Sequence, residues 1–217
     1  MAPSNTSPAY IPALGSRLLT PFYDPLIRWV MREERFKNRL IDLANVRPGM
    51  HVLDLGCGTG TLAVMVKHRQ PKAEIVGIDP DPEMLDRARS KAGRAGVGVA
   101  FDQGFASDLP YLDSGFDRVL ASMMTHHLDP DAKRQAFAEV LRVLRPDGQF
   151  HVVDFGPART SSMMMIASVM RRLEETDDNI AGRLPGMLAE AGFRVESQGS
   201  FATALGPLEF LRAVPRL

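Results

Sequence analysis

The sequence Val52-Leu53-Asp54-Leu55-Gly56-Cys57-Gly58-Thr59-Gly60 decides the fold of this chain. An apolar strand runs directly into a glycine-rich turn, and a helical segment follows from about Thr61. The next apolar run, Glu74-Ile75-Val76-Gly77-Ile78-Asp79, ends on a carboxylate. Open α/β sheets bind ligands at the carboxyl ends of their strands. This unit therefore predicts a nucleoside site at that edge, with Asp79 accepting the ribose hydroxyls.

The spacing of the glycines separates two kinds of nucleoside cofactor. A dinucleotide fingerprint Gly-x-Gly-x-x-Gly that begins at Gly56 needs its third glycine at position 61. That position holds Thr61, and the third glycine is Gly60. The spacing argues against a nicotinamide dinucleotide, although an NAD(P)-dependent oxidoreductase stays open as an alternative function.

The rest of the chain alternates between strand-like and helix-like segments. Helices are predicted at about 25–44, 61–69, 82–95, 131–144 and 180–191, and strands at about 51–55, 74–79, 97–102, 116–122, 149–155, 193–198 and 208–214. Crossovers of this length require a parallel sheet, whereas the short link at Gly206-Pro207 suits an antiparallel hairpin. We expect an α/β, Rossmann-like fold: a mostly parallel seven-stranded sheet with a C-terminal antiparallel hairpin and helices on both faces.

The composition of the chain indicates which kinds of partner it binds and in which cellular compartment it works. The chain has 217 residues, with 26 basic and 26 acidic side chains, so nothing favours nucleic acid as a partner. Its single cysteine, Cys57, excludes an intrachain disulfide. We recognise no signal peptide, no membrane-spanning apolar run and no set of metal ligands, and we predict a cytoplasmic location. The expected organisation is an N-terminal arm and cap helix (1–45) and a ligand-binding domain (46–217) with a lid insertion near 157–178.

The string Asp-Leu-Gly-Cys-Gly-Thr-Gly at 54–60, followed by Asp79, resembles the first two motifs of class I S-adenosylmethionine (SAM) methyltransferases. The resemblance extends from about Phe22 to the end of the chain. It points to the ubiquinone/menaquinone-biosynthesis methyltransferase-like subgroup, which is also similar to bacterial phosphatidylethanolamine N-methyltransferases. The resemblance implies SAM as cofactor and methyl transfer to a small molecule. A SAM-binding partner subunit without turnover is the non-enzymatic alternative.

The resemblance also implies roles for individual residues. Asp54 would orient the methionine amino group of SAM, Asp79 would hold the ribose hydroxyls, and Pro80 would flank adenine together with Met84. The full set of residues expected to contact the cofactor is Asp54, Gly56, Cys57, Gly58, Thr59, Gly60, Asp79, Pro80, Met84, Phe105, Ala106, Ser107 and Ser122.

One position in this set departs from the family pattern. Phe105 stands where the family usually has an acid that accepts from adenine N6. Two interpretations stay open, because Phe105 either stacks on adenine or packs in the core. Asp108, in the same loop, is a candidate replacement for the missing acid.

The acceptor side of the site is less defined. His126 and His127 follow the fourth strand and are candidate catalytic bases, because imidazole titrates near neutral pH; packing is the alternative for both. Flexible methionines suit an apolar ligand, and an apolar or lipid/quinone-like acceptor is preferred, with core packing as the alternative. The methionines concerned are Met123, Met124, Met163, Met164, Met165 and Met170.

The helix predicted at 25–44 is rich in basic side chains. They are Arg28, Arg32, Arg35, Lys37 and Arg39. A basic amphipathic helix can lie on an anionic membrane, which predicts peripheral membrane contact; a solvated helix face is the alternative.

Overall fold

The computed structural model describes residues 33–157, 177–204 and 206–216. The helices are α1 (Glu33–Ala44), α2 (Thr61–Arg69), α3 (Pro82–Ala95), α4 (Pro130–Val143), α5 (Asp177–Ile180) and α6 (Leu184–Glu190), with a short 3-10 helix at Thr125–His127. The strands are β1 (His51–Leu55), β2 (Glu74–Asp79), β3 (Ala100–Gln103), β4 (Phe116–Ser122), β5 (Leu144–Phe155), β6 (Phe193–Thr203) and β7 (Gly206–Pro215).

The strands of these residues form one seven-stranded sheet in the order β3-β2-β1-β4-β5-β7-β6. The first five strands run parallel, and β7 pairs antiparallel with both β5 and β6. Leu55, at the end of β1, lies opposite Ile78 of β2 and Ala121 of β4. The carboxyl ends of these three strands therefore meet at one edge of the sheet. The predicted fold class and the C-terminal hairpin are confirmed.

The core lies on both faces of the sheet. Neighbouring residues of β4 point to opposite faces, as strand geometry requires. Leu120 packs in a cluster that contains the apolar sides of α1, α2 and α3, and Val119 packs in a second cluster with those of α4 and α6. Helices on both faces thus hold the sheet rigid beneath the edge where the strands end.

Several predicted boundaries were wrong. β6 extends to Thr203 and not to about 198, and β7 begins at Gly206 and not at about 208. β5 begins at Leu144 and not near 149, because the backbone at 145–148 makes an irregular pairing with β4 in place of the predicted free turn. β3 begins at Ala100, three residues later than predicted. The single helix predicted at 180–191 is two helices, α5 and α6, separated at Gly182, which has a left-handed φ of 71°.

Helix α1 belongs to the core. Phe36 and Leu40 are buried against the sheet, and the Arg39 guanidinium donates to the carbonyl oxygens of Gln198 and Ser200 in β6. The same guanidinium lies 4.5 Å from the ring centroid of Phe210. Part of the basic face predicted for this helix is therefore occupied by contacts within the protein.

Several predictions concern residues outside the described ranges. They are the arm and the first part of the basic helix (1–32), nearly all of the predicted lid, and its methionines Met163, Met164, Met165 and Met170. Among the described residues, no helix combines the length and the apolarity needed to cross a membrane. No group of His, Cys, Asp or Glu side chains in the same ranges could hold a metal ion.

Candidate active site

The glycine turn joins β1 to α2 at the carboxyl edge of the sheet. Gly60 precedes the helix with φ 71° and provides no side-chain cap. The Asp54 carboxylate, at the end of β1, fills this role by accepting the backbone N–H of Ala63 at 3.0 Å. Burial raises the pKa of Asp54 to about 6, although the Lys37 charge and the Ala63 bond act in the opposite direction. Asp54 thus stabilises the turn that it precedes, whatever further contact it makes with a ligand.

Asp79 closes the turn from the neighbouring strand. Its Oδ2 accepts the N–H of Gly58 at 2.8 Å, and its Oδ1 accepts the N–H of Asp81 at 3.0 Å. Burial raises the pKa of Asp79, and the two backbone donors oppose that effect. A carboxylate has about four acceptor positions, so about two remain after these bonds. Two vicinal hydroxyls, such as those of a ribose, match that remaining capacity.

The first two glycines of the turn are required for different reasons. A Cβ on Gly56 would lie only 2.1 Å from Cγ of Met124, so this glycine makes room for a side chain that follows β4. A Cβ on Gly58, where φ is 51°, would meet no atom of the described residues within 4 Å. The backbone of Gly58 therefore faces open space beside the Asp79 carboxylate, which is where the sequence predicts the cofactor.

Two further residues of the turn have defined contacts. Cys57 is buried and its N–H donates to the carbonyl oxygen of Ile78, which joins the turn to β2. Burial and the nearby carboxylates of Asp54 and Asp79 raise the pKa of its thiol, so it stays protonated and is no nucleophile. The Thr59 hydroxyl accepts from Lys91 of α3 at 2.7 Å.

The residues predicted to flank adenine lie directly after β2, in the first turn of α3 and in the loop after β3. Pro80, Met84, Ala106 and Ser107 are half-buried there. Phe105 is 38 % exposed, so its alternative role in the core is wrong. An exposed ring on this loop is available for stacking. Asp108 is also exposed, and its backbone N–H donates to the Phe105 carbonyl.

A buried hydroxyl marks the end of β4. Oγ of Ser122 is buried and has no hydrogen-bond partner among the described residues. An unpaired buried hydroxyl is costly, and in native proteins it often has a ligand or water as its missing partner. Together with the open space at Gly58 and the remaining capacity of Asp79, it fits the predicted nucleoside cofactor.

The structure distinguishes the two candidate histidines that follow β4. His126 is 4 % exposed and its Nδ1 lies 2.7 Å from Oδ1 of Asp154, near the end of β5. His127 reaches the surface, and its ring centroid lies 4.0 Å from that of His126. Partial desolvation by the surrounding protein, and then repulsion from His126 when that ring is protonated, lower the pKa of His127, so it is neutral near pH 7.

Sequence reasoning missed Asp154. Its carboxylate is 1 % exposed and accepts from the backbone and hydroxyl of Thr125 as well as from His126. Burial alone would raise its pKa, but the His126 charge and these hydrogen bonds lower it to about 2. The one signal in the sequence is an acid inside the apolar run of β5, because acids are rarely buried without a partner.

Comparisons with known proteins agree with this geometry. Residues 52–148 match the family model described as a methyltransferase domain. A demethylmenaquinone methyltransferase from Thermus thermophilus is 39 % identical over 141 residues, which are 64 % of this chain but only 63 % of that enzyme. An uncharacterised methyltransferase from Synechocystis is 32 % identical over 184 residues, or 83 % of each chain. A solved geranyl diphosphate methyltransferase in complex with SAM superposes with a TM-score of 0.67 and 18 % identity, covering 94 % of each chain.

Proposed function

This chain belongs to the class I methyltransferases, and we propose that it transfers a methyl group from SAM to a small, apolar, quinone-like acceptor. The observation that best supports this proposal is the arrangement of Gly58 and Asp79. The carboxylate holds the Gly58 amide at 2.8 Å and keeps acceptor capacity for two ribose hydroxyls, beside a backbone position that faces open space. The solved relative in complex with SAM has the same fold.

Within this proposal each part of the edge has a separate task. The turn 56–60 and Asp79 bind the nucleoside, and the exposed Phe105 stacks on the base beside Pro80 and Met84. Oγ of Ser122 donates toward the amino-acid end of the cofactor. SAM, when bound, supplies a methyl group on a sulfonium. The protein then has to hold the acceptor in line with that methyl and exclude water, and such orientation contributes roughly 7–11 kcal/mol in favourable intramolecular reactions.

The acceptor class rests on the relatives and on the residues after β4. The Thermus relative is named for methylating demethylmenaquinone, a quinone. Met124 packs on Gly56 of the glycine turn, and Met123 precedes it and is half-buried; flexible apolar side chains at this position suit a flat apolar ring. The lid at 157–178 would cover the acceptor, and His126 or His127 would accept a proton if the acceptor must lose one.

The first test is a binding measurement by isothermal titration calorimetry. The protein should bind S-adenosylhomocysteine and not NADH, and Asp79→Ala should abolish or strongly weaken that binding. Asp86→Ala is the matched control, because Asp86 is an exposed carboxylate on the neighbouring helix α3 that pairs only with Arg89 in the described contacts. Binding of NADH in preference would restore the oxidoreductase alternative and overturn the proposal.

A second test measures methyl transfer. Radiolabelled SAM is incubated with the protein and a demethylated naphthoquinone in its reduced form, and the products are partitioned between organic and aqueous phases. We expect label in the organic phase, at a rate that Asp79→Ala lowers strongly. Binding without transfer to this compound or to a cell extract would instead support a partner subunit without turnover.

Membrane contact and location form part of the same proposal. A quinone-like acceptor with an apolar tail resides in a membrane, so the basic segment 25–44, which includes α1, would make peripheral contact with the bilayer, and the protein would act in the cytoplasm. Of the basic residues of α1, Arg35 is exposed, whereas Arg39 is bound to β6 and Lys37 to Glu33. Co-sedimentation with anionic lipid vesicles should therefore weaken in Arg35→Glu. Equal recovery with neutral and anionic vesicles would contradict this part.

A further inference from the structure

The residues around His126 form a continuous buried chain of hydrogen bonds. The Asn179 amide in α5 donates to Oγ1 of Thr125 at 2.9 Å, and the Thr125 hydroxyl donates to Oδ2 of Asp154 at 2.7 Å. The second carboxylate oxygen, Oδ1, lies 2.7 Å from Nδ1 of His126. All four side chains are 4 % exposed or less. These hydrogen bonds therefore join β5, the 3-10 helix and α5 in one buried place.

The direction of each bond in this chain is set by chemistry. Asp154 accepts from the Thr125 N–H and hydroxyl and from its own neighbour's backbone, the N–H of Phe155 at 2.8 Å. These donors, and the His126 charge when the imidazole is protonated, lower the pKa of Asp154 despite its burial, so the group is a carboxylate that can only accept. Nδ1 of His126 must therefore carry the proton that faces Oδ1. In the neutral imidazole, the lone pair then lies on Nε2.

The position of this pair is next to the proposed cofactor site. His126 comes four residues after Ser122 at the end of β4, and between them Met124 packs on Gly56 of the turn. The ring of Phe155, at the end of β5, lies 5.0 Å from the His126 ring and restricts its rotation from one side. The carboxyl ends of β4 and β5 thus hold one imidazole in a single orientation beside the glycine turn.

We propose that Asp154 is a positioning residue that holds His126 as the Nδ1–H tautomer, so that Nε2 of His126 accepts the acceptor's proton during methyl transfer. This inference rests on the proposed function and deepens it, because it selects His126 over His127. The acceptor's electron pair forms the new bond to the methyl carbon, and the electron pair of the broken carbon–sulfur bond stays on sulfur. The acceptor's proton passes to Nε2, and Asp154 stabilises the resulting imidazolium. Thr125 and Asn179 keep the carboxylate in place.

A merely structural role would explain the burial of these four hydrogen-bonded side chains equally well. The test therefore needs a readout that packing alone would not change. The tautomer of His126 is such a readout, because it can be read from the ¹⁵N shifts of labelled histidine in the cofactor-free protein. The protein has five histidines, and the signal that is missing from the spectrum of His126→Gln is that of His126. We expect the Nδ1–H tautomer in the wild type. In Asp154→Asn the amide can donate to Nδ1, so we expect a change to the Nε2–H tautomer.

A second experiment measures kcat and cofactor affinity in the same variants. Asp154→Asn should lower kcat at least about tenfold, and His126→Gln about a hundredfold or more, as expected for an oriented general base. Both variants should bind S-adenosylhomocysteine within about threefold of the wild type. His127→Gln should have a clearly smaller effect on kcat than His126→Gln.

Asp117→Asn is the matched control for Asp154→Asn. Asp117 is a carboxylate of β4 that accepts from the backbone of His51 and pairs with Arg145, at the opposite end of the sheet. Its substitution should cost stability and leave both the His126 tautomer and kcat within about twofold of the wild type.

The outcomes separate this inference from the proposed function. If the wild type does not bind S-adenosylhomocysteine, the proposed function has failed. If it binds and turns over, an Nε2–H His126 in the wild type, or an Asp154→Asn protein with unchanged kcat, overturns the inference. Should Asp154→Asn not fold, the wild-type tautomer and the kcat of His126→Gln decide the question between them.

Discussion

The open space at Gly58 makes a prediction that separates ligand binding from folding. Gly58 has φ 51°, and a Cβ there would meet no atom within 4 Å in the part of the chain that the structure describes. Gly49, in the turn before β1, has φ 80°, and a Cβ there would likewise meet no described atom within 4 Å. A Cβ in this left-handed region costs roughly 1–2 kcal/mol per residue. Gly58→Ala and Gly49→Ala should therefore lower the free energy of unfolding by similar amounts.

The two variants should differ in ligand affinity. If the cofactor lies over Gly58, the new methyl group occupies the ligand's space, and the affinity for S-adenosylhomocysteine should fall at least about tenfold, or about 1.4 kcal/mol. Gly49→Ala should bind as the wild type does. In thermal unfolding both should melt roughly 2–8 °C lower, since about 1 kcal/mol shifts the Tm of a chain of this size by about 2–4 °C.

The assays are calorimetric titration with S-adenosylhomocysteine and thermal unfolding of the ligand-free proteins. Equal affinities for Gly58→Ala and Gly49→Ala would refute the placement of the cofactor over the turn. Unequal melting temperatures, with Gly58→Ala much the lower, would mean that the turn is more tightly packed than the structure indicates.

Three further predictions follow from buried groups at the same edge. Burial raises the pKa of Asp54 from 3.8 to about 6, so its contribution to stability is present below pH 4 and is lost as the pH rises through about 6. In urea unfolding, the free energy of unfolding of Asp54→Asn should therefore rise relative to that of the wild type by about 3 kcal/mol between pH 4 and 7. A difference that stays constant with pH would contradict this reasoning. Ser122→Ala removes the buried hydroxyl that has no partner among the described residues, so it should leave the Tm unchanged or higher. In titration it should weaken S-adenosylhomocysteine binding roughly threefold to tenfold. Unchanged affinity would mean that this hydroxyl does not contact the cofactor. Gly56→Ala places a methyl group 2.1 Å from Cγ of Met124, so denaturant unfolding should show a large loss of stability. Adding Met124→Ala should restore part of that loss. If the stability changes of the two substitutions simply add, the predicted clash is excluded.

The cofactor half of the site could be predicted because its parts are close in sequence. The turn at 56–60 and the carboxylate of Asp79 belong to one strand–turn–helix–strand unit, and the observed bond from Gly58 to Asp79 spans only 21 positions. Local constraints of this kind, such as positive φ at a glycine and apolar strands of about five residues, are visible as spacing. The same local rules placed three of the seven strands, β1, β2 and β4, and the three helices α2, α3 and α4 to within a residue.

The predictions that failed concern contacts whose form depends on distant residues. The start of β5 depends on its pairing with β4, and the choice between the two open interpretations of Phe105 depends on its exposure in the fold, which is 38 %. Neither property has a local signal, since strand pairing and burial are decided by which surfaces meet. The same is true of Met124, whose contact with Gly56 joins residues 68 positions apart.

The sequence by itself determined the α/β class, the family and the candidate nucleoside end of the site, because backbone sterics and hydrophobic periodicity act over a few residues. Only the tertiary structure decided which histidine is held by a carboxylate. His126 and Asp154 are 28 positions apart, and their side chains come within 2.7 Å because β4 and β5 lie side by side and end at the same edge. A buried charge needs a partner, and packing selects which partner is near enough to serve.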